Sequence, residues 1–231
     1  MAGISNLQKQ LSEHLEQFVT PERAKRMHEV LDKRTRFLTV ILEDIYQPQN
    51  ASAVLRSCDC FGVQDVFYIE DRYQFQIRAG VTRKAHQWLT ISNYNSENGG
   101  TDACLAEVKR RGYKIAVMTP DADTLLSELP LREPVAFLFG TEKEGVSEKA
   151  SAMADYKLKI PMFGFSESLN VSVSVALTLY HTTLRLHSEK TMQQFGLSPC
   201  EKEELWNNWL KLTVKNADVI EKKFLESRLS K

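Results

Sequence analysis

The sequence predicts an α/β fold built on a mostly parallel sheet, and three observations predict it. A continuous apolar run of strand length occurs at residues 37–42, as expected of a strand covered on both faces, and further strands are read at 114–118 and 134–139. Stretches with helical spacing of apolar residues separate them, so strands and helices alternate along the chain. With 231 residues, 42% of them hydrophobic, the chain can bury a core without staples, and it fits one domain with extensions better than two.

Leu7, Leu11, Leu15 and Phe18 recur at helical spacing, so the first 18 residues form a helix. Thr20-Pro21-Glu22 starts a second, with a capping side chain and proline at the first helical position. After the strand at 37–42, Gln47-Pro48-Gln49-Asn50 breaks the pattern, and Asn50 is placed to cap a helix that ends at Phe61-Gly62. Residues 66–69 form a strand, 71–86 a polar and basic loop or short helix, 88–91 a short strand, and 93–101 a turn-rich linker. A helix over 102–111 stops at Gly112, the strand at 114–118 follows, and Leu125-Leu126 fit a short helical turn. The strand at 134–139 ends at Gly140, with a short helix at 147–153 and a strand at 156–160 behind it. A long buried helix then runs from Ser168 to about His187, with Val173, Ala176, Leu177, Tyr180 and Leu184 on one face. Ser198-Pro199 opens a helix bearing Leu205, Trp206 and Trp209, and a last helix begins near Asp218. The boundaries drawn are a helical extension at 1–36, the α/β domain at 37–187 and a second helical extension at 188–231.

Composition excludes more than it selects. Thirty basic and thirty acidic residues give a formal net charge of zero, so any nucleic-acid partner must be met by local patches. Such patches exist: residues 21–36 hold six basic and three acidic residues, 211–231 the same tally, and Arg72, Arg78, Arg83 and Lys84 form a third group. A solvated helix face explains any one of them; their place on both flanks of the α/β core favours phosphate binding. Cys58, Cys60, Cys104 and Cys200 lack metal-type or CxxC spacing and read as free thiols in a reducing cytosol. No apolar signal segment or membrane-length run is present, so the expected location is cytoplasmic. None of the five histidines falls in a motif, and no metal site is expected.

Open α/β sheets bind ligands beyond the carboxyl ends of their strands, and three such ends here are unusual. At the first, Asn50 and Arg56 are either a capping side chain and a surface arginine, or a geometry-fixing amide and a guanidinium aimed at a phosphate or ribose oxygen. At the second, Gly140-Thr141-Glu142-Lys143-Glu144-Gly145 is either a plain turn with two glycines or a close-approach loop with Glu142 as an acceptor. At the third, Ile160-Pro161-Met162 leads through Gly164 to a helix start that Ser168 or Asn170 caps, whose free N–H groups suit an anionic or carbonyl-bearing ligand. No Walker loop and no GxGxxG occurs.

Taken together and in this order, the three motifs closely resemble those of the SpoU branch of the SPOUT methyltransferases, within it the enzymes acting on guanosine 18 of tRNA. The resemblance rests on residues 50–56 with Cys60-Phe61-Gly62-Val63, on 139–145, and on Ile160-Pro161-Met162 followed by Ser168-Leu169-Asn170-Val171-Ser172-Val173. It covers roughly residues 23–185. It implies a trefoil knot in the carboxyl half of the sheet, a homodimer, and transfer of a methyl group from S-adenosylmethionine to a ribose 2′-hydroxyl of tRNA. Thr119, Gly140, Ile160 and Leu169 would line the cofactor pocket. Arg56, Asn50, Glu142, Ser168 and Asn170 would serve the reaction, and Arg23, Arg26, Arg34 and Arg83 would meet RNA. The family's arginine is sometimes described as a base, but a guanidinium with a pKa above about 12 stays protonated, so its expected task is to bind phosphate and stabilise the alkoxide. Rival readings are a ribosomal-RNA or other tRNA target, a silent RNA-binding module, and a metabolic α/β enzyme.

Overall fold

A computed structural model describes residues 6–74, 78–141 and 143–229. In chain order its elements are α1 (Asn6–Glu16), α2 (Pro21–Leu31), β1 (Leu38–Glu43), α3 (Pro48–Cys60), β2 (Asp65–Glu70), α4 (Ala79–Thr82), β3 (Thr90–Asn95), α5 (Gly100–Arg110), β4 (Lys114–Met118), β5 (Thr124–Leu125), β6 (Val135–Phe139), α6 (Glu148–Ala152), β7 (Tyr156–Lys159), α7 (Val171–Glu189), α8 (Met192–Phe195), α9 (Pro199–Thr213) and α10 (Ala217–Leu229). The chain divides into two compact units, one made of residues 35–195 and the other of the two terminal segments.

The larger unit is a sheet of seven strands, all pairs parallel, in the order β3-β2-β1-β6-β4-β7-β5. Helices cover both of its faces, as parallel sheets require. Because side chains alternate along a strand, β1 sends Leu38, Val40 and Leu42 to one face and Ile41 to the other. β6 does the same with Val135, Phe137 and Phe139 against Ala136 and Leu138. The first face is closed by Ala51, Val54 and Leu55 of α3 and Val175 and Leu179 of α7. The second is closed by Cys104, Leu105 and Val108 of α5 and Ala150 of α6. The ends of the unit are tied by the Thr35 hydroxyl, which donates to the Phe195 carbonyl at 2.5 Å.

Four expectations need correction. The long helix is capped by Asn170, whose side chain accepts from the Ser172 N–H at 2.9 Å, and it is not buried all round. Its buried stripe is Val171, Val175, Thr178, Leu179, Thr182 and Leu186, while Val173, Leu177, Tyr180 and Leu184 are 42–54% exposed. Asn50 does not cap α3; the helix starts at Pro48 with Gln47 as its cap residue, so Asn50 sits inside the first turn. β3 continues to Asn95, through residues whose polarity suggested a linker. Leu125 ends a short strand, and the helical turn follows at Leu126–Glu128.

The terminal unit is helical. Thr20 caps α2, accepting from the Arg23 N–H at 3.3 Å, and Ser198 with Glu201 forms a capping box at the start of α9. Trp206 and Trp209 are buried in it, as packing residues, with His28 stacked on Trp206 at 3.8 Å between ring centroids. Among the described residues, no helix is long and apolar enough to cross a membrane.

Candidate active site

Parallel strands end together, so the sheet order decides which motifs meet. Neighbouring strands lie about 4.8 Å apart, and β1, β6, β4 and β7 are consecutive neighbours. Thr119 follows β4, Gly140 follows β6 and Ile160 follows β7. The three expected cofactor positions are therefore the carboxyl ends of three adjacent strands. The Thr119 N–H donates to the Leu158 carbonyl at 3.0 Å, fixing the β4 end against β7. Ile160 and Leu169 are both half-buried.

Gly140 is required by space, not by an unusual φ. A Cβ on it would lie 1.9 Å from the Gly145 carbonyl oxygen and 2.4 Å from the Val146 nitrogen. The loop folds back this tightly because Thr141 and Gly145 exchange two backbone hydrogen bonds of 3.0 Å, with Gly145 at φ +70°. Glu142, the expected acceptor of this loop, lies outside the described residues.

The first and third motifs meet across 120 residues of sequence. The Asn170 Nδ2 donates to Asn50 Oδ1 at 3.1 Å. Asn50 Nδ2 in turn donates to Gln47 Oε1 at 2.9 Å. Both asparagines thus act as brackets between helix starts: Asn170 holds the first turn of α7 with its oxygen and the first turn of α3 with its nitrogen. Ser168 is exposed two residues before it. Arg56 is exposed and makes no hydrogen bond or ion pair with a described residue. Six residues of helix put it about 9 Å along the axis of α3 from Asn50 and about 120° around it. A long exposed guanidinium on that rim is free to reach an external anion.

A buried acidic brace, which sequence reasoning missed, supports the loops from behind. Glu43 ends β1, is 3% exposed, and accepts hydrogen bonds from the Ser147 N–H at 2.8 Å, the Ser147 hydroxyl at 2.7 Å and the Thr101 hydroxyl at 3.2 Å. Next to it Asp44, at φ +55° and buried, accepts from the backbone N–H of Arg72 at 2.8 Å and its Nε at 3.1 Å. Arg72 also pairs with Glu144 of the Gly140 loop, and the two carboxylates push its guanidinium pKa up. The only sequence signal was the acidic pair Glu43-Asp44 directly behind an apolar strand.

Of the expected RNA contacts, Arg23, Arg26 and Arg83 are exposed, and Arg26 pairs with Glu29 at 3.4 Å in a solvent-facing bridge. Arg34 is a correction. It is 1% exposed, with its guanidinium 5.5 Å from the centroid of the Trp209 ring, so its long stem and planar head are packed inside the helical unit instead of facing a phosphate.

The family model described as SpoU rRNA Methylase matches residues 37–180. A tRNA (guanosine(18)-2′-O)-methyltransferase of Borreliella burgdorferi is 35% identical over 208 residues, 90% of this chain and 93% of that protein. The crystal structure of a TrmH/SpoU tRNA modifying enzyme of A. aeolicus superposes with a TM-score of 0.74 at 30% identity, over 84% of this chain and 98% of the other. The SpoU methyltransferase AviRb of Streptomyces viridochromogenes, in complex with AdoMet, shares the fold at a TM-score of 0.59 and 20% identity, over 69% of this chain and 64% of the other. With its three motifs at the carboxyl ends of β1, β6 and β7 and more than half its length matched by the family model, the chain belongs to the SpoU methylase family.

Proposed function

We propose that this chain methylates the 2′-hydroxyl of guanosine 18 in the D-loop of tRNA, with S-adenosylmethionine as methyl donor, as a cytoplasmic homodimer. The observation that carries the reading is the Asn170–Asn50 hydrogen bond, which draws the substrate-side motif onto the motif that follows β7. The relatives matched over nearly the whole chain are named for this reaction.

The donor set suits the cofactor. The ends of β4, β6 and β7 offer backbone N–H and C=O groups that can read an adenine edge, beside half-buried Ile160, Met162 and Leu169 for its faces. Thr119, Gly140, Ile160 and Leu169 would hold it, and when bound it supplies an electrophilic methyl group. The chain's own residues then have two tasks. Asn50 and Asn170 fix the substrate side, and positioning of this kind can contribute roughly 7–11 kcal/mol. Arg56, permanently charged, binds the phosphate next to the target and stabilises negative charge developing on the 2′-oxygen, while the hydroxyl proton leaves to phosphate or water. An Arg56→Lys variant is inactive on this reading, because an ammonium does not reproduce the planar fork. Ser168 and Glu142 complete the substrate wall, and no metal takes part.

The exposed stripe Val173, Leu177, Tyr180 and Leu184 supports the homodimer: four apolar side chains at helical spacing on α7 are more than a solvent face requires. Leu177→Glu should shift the sedimenting species to a monomer. The knot is read from the family fold. Residues 1–36 and 188–231 serve as extensions that reach RNA, Arg23 and Arg26 through α2, with Arg83 added from the central domain.

The test is transfer of labelled methyl from S-adenosylmethionine to unmodified tRNA and to rRNA, with the product nucleotide mapped by mass spectrometry. 2′-O-methylguanosine in the D-loop is the expected product. Transfer to rRNA alone, the reading that the family description favours, would move the substrate and keep the chemistry.

A further inference from the structure

We propose that Tyr46 and Tyr73 form a stacking shelf for a nucleobase of the RNA strand that flanks the target ribose. The proposal rests on the reading of the chain as an RNA methyltransferase and extends it to how the strand is gripped.

The two rings lie side by side, with centroids 5.7 Å apart and planes inclined by 51°. Tyr46 is 51% exposed and Tyr73 45%, so each has a ring face turned to solvent. They come from different loops, one behind β1 and one behind β2. Beyond the pairing of β1 with β2, a buried carboxylate ties the two loops together. Asp44 accepts from the N–H groups of Arg72 and Tyr73, at 2.8 and 3.4 Å, while its own N–H donates to the Ile69 carbonyl at 3.0 Å. Anchoring two exposed aromatic rings in this way costs a left-handed φ at Asp44, a conformation non-glycine residues seldom take.

The shelf is also connected to the site. The Tyr46 hydroxyl accepts from Gln47 Nε2 at 3.0 Å, Gln47 Oε1 accepts from Asn50, and Asn50 Oδ1 accepts from Asn170. One polar chain therefore runs from the ring of Tyr46 to both asparagines. The strand order separates the roles: Tyr46 and Tyr73 follow β1 and β2, the proposed cofactor positions follow β6, β4 and β7, and Asn50 lies four residues after Tyr46 in the first turn of α3. An exposed aromatic ring on the substrate side of Asn50, with a second ring tilted beside it, is where a base next to the ribose would lie. Single-stranded RNA loops are held largely by bases stacked on aromatic side chains, which is tolerant of base identity.

The test compares Tyr46→Ala, Tyr73→Ala and the two phenylalanine variants with the wild-type chain. Affinity for an unmodified tRNA transcript is read by filter binding, together with KM and kcat for transfer and the affinity for S-adenosylmethionine. Stacking predicts that each alanine variant loses about 5- to 100-fold in tRNA affinity, with cofactor affinity unchanged and the phenylalanine variants close to wild type. It also predicts that transcripts made abasic in turn at the target and its two neighbours include one that binds wild type and Tyr73→Ala equally. Wild-type tRNA affinity in the alanine variants, or a loss that persists on all three abasic transcripts, overturns the proposal and leaves the methyltransferase reading standing. A wild-type chain that neither binds nor methylates tRNA overturns both.

Discussion

Replacing Gly140 by alanine tests whether the loop behind β6 is as tightly folded as its contacts imply. The added methyl would sit 1.9 Å from the Gly145 oxygen and 2.2 Å from its carbonyl carbon, both backbone atoms with no rotamer to move. Reaching ordinary contact at 3.4 Å means a retreat of about 1.5 Å by one side of the loop. The two 3.0 Å hydrogen bonds between Thr141 and Gly145 do not survive that displacement. At about 1 kcal/mol each, with the strain of whatever conformation replaces them, the cost is roughly 2–4 kcal/mol. For a chain of this size that lowers the melting temperature by about 4–16 °C. The functional effect is larger than the stability effect, because misplacing a site by about 1 Å can cost on the order of 100-fold. Calorimetric titration with S-adenosylmethionine and a thermal melt read both. Gly80→Ala is the control: nothing lies within 4 Å of the Cβ it would add, so it should be neutral or slightly stabilising. A Gly140→Ala chain that melts and binds cofactor like wild type would refute the close approach and with it the assignment of this strand end to the cofactor.

The buried carboxylate of Glu43 holds the start of α6 through Ser147. Glu43→Ala leaves the Ser147 N–H and hydroxyl without their acceptor, while the Thr101 hydroxyl keeps Asp71 at 2.8 Å, and should cost about 2–4 kcal/mol in urea unfolding, Glu43→Gln less; a loss under about 0.5 kcal/mol for alanine would remove the brace from the account. Thiol chemistry should separate the four cysteines into two pairs. Cys60 and Cys200 are exposed and react with a thiol reagent in the folded chain, whereas Cys58 and Cys104 are buried and wait for denaturant. Burial also pushes the Cys104 thiol pKa up, keeping it protonated at the pH where the others react. Peptide mapping that finds Cys104 among the fast-labelled positions would mean that the α5 face of the sheet opens readily.

What the sequence shows and hides here follows from what a side chain's character records. β1, β4 and β6 were legible because strands covered on both faces are apolar throughout, so length and composition agree. β3, with Ser92, Asn93 and Asn95 on an edge of the sheet, pairs along its whole length with β2 through backbone atoms that leave no trace in residue type. The helix α7 shows the limit most clearly. Its apolar spacing was real, but periodicity says which residues face together and not what covers them. The stripe that faces the sheet includes Thr178 and Thr182; the Thr182 hydroxyl is satisfied within the helix, donating to the Thr178 carbonyl at 2.7 Å, while the Thr178 hydroxyl is buried with no partner among the described residues. A second apolar stripe, Val173, Leu177, Tyr180 and Leu184, is left exposed. Arg34 errs in the opposite direction: charge suggested a surface, while the stem and planar head of an arginine pack well on Trp209. The site divides in the same way. Gly140, Asn50 and Asn170 stood in motifs that resemblance could order, yet the bond between the asparagines spans 120 residues and exists only once β1 and β6 are neighbours. Glu43 and Asp44 were invisible because an acidic pair after a strand looks like a solvated turn. Their burial is a tertiary fact, and through Ser147, Arg72 and Glu144 this pair ties the segments that follow β1, β2 and β6 to one another.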